Sequence, residues 1–170
     1  MNEALKPTAK WLSTKSGLTI QNLRVDPECA AYSGYNFNAG NIRIKFRNAK
    51  VTPKKVGQFV TLWKRNTFGH TEPFDLHDAF DFYIVATQKE EKSGFFFFSR
   101  LTLAELGVIA SPQQEGKRGF RVYPAWEIPL NKQAEQTKKR QMECFIDLIA
   151  DPNKNIEKFN RLLENGINKM

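Results

Sequence analysis

The chain reads as one α+β domain: a strongly bent, mostly antiparallel sheet, curved enough to suggest a pseudo-barrel, flanked by N- and C-terminal helices. Three observations predict it. Helix start and stop signals gather at the two ends, while the middle follows the period of two that strands impose. Hydrophobic content of 41% with 14 phenylalanines in 170 residues is enough for a core without covalent staples. No internal repeat or low-complexity linker divides residues 1–170.

Taken in order, residues 4–12 predict a short helix interrupted by Pro7, with a break at Ser16-Gly17. Asp26-Pro27 predicts a short helical segment, the aspartate capping it and the proline occupying its first position. Residues 32–37 and 42–47 flank Asn38-Ala39-Gly40-Asn41 as a hairpin. In its second strand Ile42, Ile44 and Phe46 point one way and Arg43, Lys45 and Arg47 the other, because successive side chains alternate. The expectation is a row of three cations on an outer face.

Residues 58–65 continue the sheet, and 80–87 supply a near-continuous apolar strand. The polar run 89–94 turns into a strand at 95–99, and a short helix at 101–106 ends at Gly107. Residues 119–123 form one more strand, stopped by Pro124. A longer helix is expected over 131–149. Asp151-Pro152 caps a last one, in which Ile156, Phe159, Leu162 and Leu163 share a face and Gly166 marks the end.

Charge is the strongest functional signal. Between Cys29 and Thr71 there is no Asp or Glu, yet eight cations occur: Arg43, Lys45, Arg47, Lys50, Lys54, Lys55, Lys64 and Arg65. The formal excess of the whole chain is also +8, so the other basic and acidic residues cancel. A one-signed stretch attracts polyanions, and the interleaved aromatics and amides suit nucleic acid. The bland alternative is a basic, well-solvated surface.

Other classes are disfavoured. The N-terminal MNEALKPTAKW has no apolar run of the kind a secretory signal needs, and the four phenylalanines at 95–98 are too few to cross a bilayer. Cys29 and Cys144 lie far apart and form no CxxC pair, which argues against a zinc site or disulfide framework and fits a reducing cytoplasm. No cofactor is expected.

Three constellations could carry chemistry. In segment 50–65, Thr52-Pro53 and Gly57 shape a loop presenting Lys54 and Lys55 beside Lys50. Phe59, Thr61, Trp63 and Arg65 then alternate with Gln58, Val60, Leu62 and Lys64. One face thus joins an aromatic to a cation, as base stacking and phosphate contact require, and Gln58 could read a base edge. The competing account buries Phe59 and Trp63 in the core. In segment 115–126, Gly116 and Gly119 bracket Lys117-Arg118, while Arg121 and Tyr123 share a strand face opposite Phe120 and Val122. Guanidinium and phenol there fit a phosphate or base contact, or else a structural Arg–acid pair.

The third constellation is acidic. Asp75, Asp78 and Asp81 are spaced by three, so a helical turn would align them as weak candidate ligands for a divalent cation, with His70, Glu72 and His77 nearby. The nuclease pattern of Asp followed by Glu-x-Lys finds only Asp81 with Glu90 and Lys92, in a polar turn rather than a strand. Solvated loop charges are the simpler account. Nucleophilic catalysis has no support from neighbours in sequence: both histidines fall in one loop, and neither cysteine has an adjacent base. Cys144 is expected to be inert core on the apolar side of a helix.

The stretches KVTPKKVGQFVTLWKR, FDFYIVAT, GFFFF and EGKRGFRVYPAW, in that order, resemble the MepB-like family of bacterial cytoplasmic proteins over about residues 32 to 150. That family is named for a gene accompanying a multidrug efflux pump and its repressor, and it carries no established enzyme activity. The resemblance implies a compact bacterial domain whose characteristic segments are the two basic-aromatic strands. The element order also looks like DNA-reading pseudo-barrels of the kind joined to modification-dependent restriction enzymes, a likeness of fold alone.

The expected function is non-catalytic nucleic-acid binding, DNA favoured. Lys45, Arg47, Lys50, Lys54, Lys55, Lys64 and Arg65 would meet phosphates, with Lys117, Arg118 and Arg121 as a second wall. Trp63 and Tyr123 would stack, and Gln58 would read an edge. The alternatives are a metal-dependent nuclease or nucleotide-processing enzyme on Asp75, Asp78 and Asp81, and a protein partner of the efflux system.

Overall fold

A computed structural model describes residues 1–169. Two hydrophobic strands at its centre set the architecture. Strand β8 (Phe82–Lys89) and strand β9 (Lys92–Ser99) form an antiparallel hairpin in which every residue is buried except those at the turn end. Alternation sends Phe82, Ile84, Phe95 and Phe97 to one face and Tyr83, Val85, Phe96 and Phe98 to the other. Four consecutive phenylalanines are therefore explained by a sheet covered on both sides.

The main sheet has six strands in the order β1-β2-β3-β8-β9-β11. These are β1 (Ile20–Val25), β2 (Tyr35–Ala39), β3 (Ile42–Asn48), β8, β9 and β11 (Phe145–Asp147). All neighbours pair antiparallel except β3 with β8, which is parallel. A second sheet of three antiparallel strands, β4 (Lys50–Thr52), β5 (Lys55–Thr61) and β10 (Gly119–Val122), has the order β10-β5-β4. A two-stranded ribbon joins β6 (Lys64–Arg65) to β7 (Thr71–Glu72). The sheets do not close into a barrel, so the pseudo-barrel expectation gives way to an open, layered arrangement.

One face of the main sheet packs against α1 (Lys6–Trp11) and α4 (Pro152–Asn168), with Trp11, Phe159, Phe82, Phe95 and Phe97 in one cluster. Phe82 and Phe97 stack with centroids 4.3 Å apart. The other face packs against the three-stranded sheet and α2 (Arg100–Glu105), with Val60, Leu62, Phe120, Val122 and Leu103 inside. The fold is thus α+β with helices flanking the sheet. No helix among the described residues is long and apolar enough to cross a membrane.

Local signals set several boundaries as expected. Asp26 caps a 3-10 helix (Pro27–Tyr32) by accepting from the Glu28 amide at 3.1 Å. Gly40 turns the β2–β3 hairpin in the left-handed region, where a side chain would strain. Other boundaries differ. Pro7 sits in the first turn of α1 and does not interrupt it, because an N-terminal proline loses no helical hydrogen bond. Residues 131–149 divide: α3 (Lys132–Met142) ends early, and Phe145 and Ile146 leave it to complete the sheet edge beside β9. Gly166 lies within α4 and ends nothing. A Cβ there would fall 2.3 Å from the Phe82 ring, so the glycine permits close packing of helix on sheet. Strand β1 is not expected from the sequence.

Candidate nucleic-acid interface

The eight cations of the acid-free stretch divide into two groups. On β3 the alternation is as expected, with Ile42, Ile44 and Phe46 buried, but the opposite face is not an outer one. β3 is an interior strand, and the 3-10 helix and small sheet crowd its second face. Arg47 is only 1% exposed, donating to Asp26 Oδ2 at 2.5 Å and to the Phe46 carbonyl at 2.7 Å. Lys45 is mostly buried, bonded to Asn36 at 3.0 Å, 3.9 Å from Asp26 and 4.8 Å from the Phe74 ring centroid. Arg43 grips Asp81 through Nε and Nη2 at 3.1 and 2.8 Å. Together with Arg24, Asn36 and Asn38, Arg43 and Lys45 line a cleft of about 360 Å³, but their charge is already met by carboxylates.

Titration follows this pairing. Burial pushes Asp26 up, but Arg47, Lys45 and the Glu28 amide outweigh it and leave its pKa below the ordinary value. Asp81 is likewise lowered, its own burial being overcome by bonds from the Arg43 side chain and amide. Lys45 is lowered, by burial first and by the Arg47 charge second.

Lys64 and Arg65 also have acidic partners. Lys64 Nζ lies 2.8 Å from Asp78, 3.3 Å from Asp75 and 3.7 Å from Glu72. Burial works against its ammonium, but Asp78 and Asp75 prevail and raise its pKa. Arg65 meets Glu28 at 2.9 Å and leans over the Trp63 ring at 5.2 Å. The acidic cluster therefore serves a lysine. The segment is a turn, not a helix, so Asp75 and Asp78 converge on Lys64 while Asp81 turns to Arg43. Among the described residues no group of three His, Cys, Asp or Glu side chains is placed to hold a metal.

What remains without an acidic partner lies on the outer face of the small sheet. The register aligns Lys50 with Phe59 and Phe59 with Arg121, one row across β4, β5 and β10. Lys54 in the β4–β5 turn and Lys55 at the start of β5 are exposed. Lys50 Nζ sits 4.8 Å from the centroid of Tyr32, whose ring meets Phe59 edge-on at 6.4 Å. Arg118 donates to the Thr71 carbonyl at 2.9 Å, and Arg121 donates to the Thr52 hydroxyl at 2.7 Å and the Gly57 carbonyl at 3.3 Å. Those partners are neutral, so they orient the guanidinium groups without cancelling their charge. Lys117 is exposed, and Phe59 and Trp63 are half-buried, between the core and stacking accounts.

Two expected contacts leave this face. Gln58 is completely buried, its Nε2 reaching the Gln88 carbonyl at 3.3 Å and its Oε1 unpartnered, so it cannot read a base edge. It faces inward with Val60 because it is one residue out of phase with Phe59. Tyr123 is buried against Gly57, where a Cβ would come within 2.8 Å of the ring. Phe59, which the sequence favoured as core, and Tyr32, which it did not select, take half-buried aromatic positions beside Lys50. For Phe59 the signal was register with Lys50, and for Tyr32 the packing of the 3-10 helix beside β4, neither legible before the strands were paired. Cys144 is buried as expected, in the connection before β11 rather than on a helix, and burial pushes its thiol up to about 12.

These features define a class: an α+β protein whose six-stranded sheet carries a smaller, cation-faced sheet on one side. More particularly, the chain belongs to the MepB-like family, which matches residues 26–147. The match opens on Asp26, the buried partner of Arg47, and closes at the end of β11. The chain is similar to a protein whose solved structure is a crystal structure of MepB, with 30% sequence identity and a TM-score of 0.77 over 89% of this chain and 100% of that one. No curated protein matches it.

Proposed function

We propose that this chain binds nucleic acid, DNA in preference, through the outer face of β4, β5 and β10. One observation carries the reading: among the described residues Lys50, Lys54, Lys55, Lys117, Arg118 and Arg121 have no carboxylate partner, in a molecule where the β3 cations are matched by acids. Phe59 and Trp63 lie among them at partial exposure. Cations supply phosphate contacts, and aromatic faces add stacking that tolerates any base. The carboxylates proposed for a metal-dependent enzyme are held by Lys64 and Arg43, which gives the rival reading no comparable support.

The test is fluorescence anisotropy of a labelled duplex over a salt series, with single-stranded DNA and RNA of the same sequence alongside. Binding should weaken with salt, with a slope of about −0.9 per phosphate contact on duplex. The double variant Lys54→Glu, Lys55→Glu should lose at least about tenfold in affinity for every sequence alike. Equal binding by variant and parent would remove this loop from the interface. No binding at low salt would end the nucleic-acid reading.

A further inference from the structure

Beside the basic face, between β10 and α3, lies a second cleft of about 300 Å³. At roughly 30 Å³ per water it has room for about ten waters, much more than a single phosphate group fills. Its lining holds Lys117, Arg140 and the backbone of Arg121, whose guanidinium turns away to Thr52 and Gly57 on the outer face, and no carboxylate. None of the three forms a salt bridge among the described residues. Arg121 and Arg140 bond only to neutral oxygens, Arg140 to the Glu105 backbone carbonyl at 2.7 Å. Apolar residues also line it, Leu106 and Val108 with the largely buried Phe120 and Tyr123.

The strand edge completes the site. β10 is the outermost strand of its sheet, and Gln141 of α3 stands in for a next strand, donating to the Arg121 carbonyl and accepting from the Tyr123 amide, both at 2.9 Å. In an antiparallel strand the N–H and C=O of one residue point the same way, so the Arg121 N–H also faces α3. Gln133 keeps a free carboxamide at the rim, and Asn131, whose Oδ1 caps α3, keeps its Nδ2 donor. Two cations, Lys117 and Arg140, with amide donors and acceptors and an apolar wall in one small cleft are the chemistry of a phosphorylated heterocycle.

We infer that this cleft binds a nucleoside monophosphate group, its phosphate drawn to Lys117 and Arg140. The group has two sources, a free mononucleotide or the 5′-phosphorylated end of a nucleic-acid chain. The inference does not depend on the outer face, because free mononucleotide alone tests it.

The experiment is calorimetric titration of the full chain with nucleoside 5′-monophosphates, and with inorganic phosphate as the reference anion. The expected result is a Kd of about 1 mM or tighter, at least about tenfold better than phosphate. Arg140→Gln should weaken it about tenfold, and Thr137→Trp, which fills the cleft from α3, should abolish it. Lys117→Gln serves as the second charge variant, and thermal melts confirm that each variant folds. Lys54→Glu, Lys55→Glu should leave mononucleotide binding unchanged even where duplex binding is lost. The source is read from 5′-phosphorylated and 5′-hydroxyl oligonucleotides. A preference of about tenfold for the phosphorylated end, lost in Arg140→Gln, assigns the chain end, and no preference assigns the free mononucleotide. No mononucleotide binding at about 1 mM, no advantage over phosphate, or equal binding by parent, Arg140→Gln and Thr137→Trp would overturn the site.

Discussion

The β3 row and the outer face of the small sheet come from one acid-free stretch of sequence, yet they have opposite electrostatic fates. Arg43, Lys45 and Arg47 are met by Asp81 and Asp26, which lie outside that stretch. Lys50, Lys54 and Lys55, a few residues further on, meet no carboxylate among the described residues, and Arg121 of β10 joins the Lys50 row across Phe59. The contrast shows that local charge density measures potential ligands for a polyanion, not a field. Burial decides which cations must be paired, since an unpaired charge in a covered layer costs several kcal/mol. Exposure alone does not leave a cation free, since Arg43 and Arg65 are about half exposed and still pair with Asp81 and Glu28.

The sharpest way to break this contrast is to remove a member of each group. Arg47→Ala removes the closer of the two ion partners of the buried Asp26, leaving Lys45 at 3.9 Å, and should cost about 3 kcal/mol or more in a urea melt. A loss well under that figure would mean the pair is less enclosed than its geometry shows. Trp63→Ala should weaken single-stranded DNA binding by about 1–3 kcal/mol through lost stacking. Unchanged anisotropy would return Trp63 to a purely structural role. Lys54→Gln with Lys55→Gln should reduce the duplex salt slope by about 1.8, two phosphate contacts' worth, with stability moving by no more than about 0.5 kcal/mol.

A pH series separates the groups more finely. Asp26 and Asp81 have folded pKa values below their unfolded ones, so their pairing stabilises the fold above the unfolded carboxylate value of about 3.9. That contribution is lost as pH falls through the lower folded values. Arg43→Gln should therefore flatten the acid-side loss of stability in melts below about pH 4. The same variant should leave DNA affinity nearly untouched, the smallest effect of the set. A large affinity loss would place the β3 row in the interface after all.

How much was legible varied with the range of the interactions involved. Asp26 as a cap, Gly40 in its hairpin and Gly107 after α2 act within a few residues, and their positions were readable directly. Phe145 and Ile146 were misread as helix because an apolar pair following a helical pattern does not reveal that β9 has a free edge to fill. Gly166 looked like a helix end because its reason for being glycine, the Phe82 ring, lies 84 positions earlier.

The sequence alone determined the α+β class, the alternation on β3 and the basic-aromatic character of the segments that became β5 and β10. Each follows from backbone periodicity and local composition. Tertiary structure decided that β3 is covered on both faces, that Gln58 and Tyr123 are buried, and that Lys50, Phe59 and Arg121 form one row. The physical reason is that burial and charge pairing are properties of neighbours in space. Which carboxylate meets which cation depends on how the layers stack, and no window of sequence contains both.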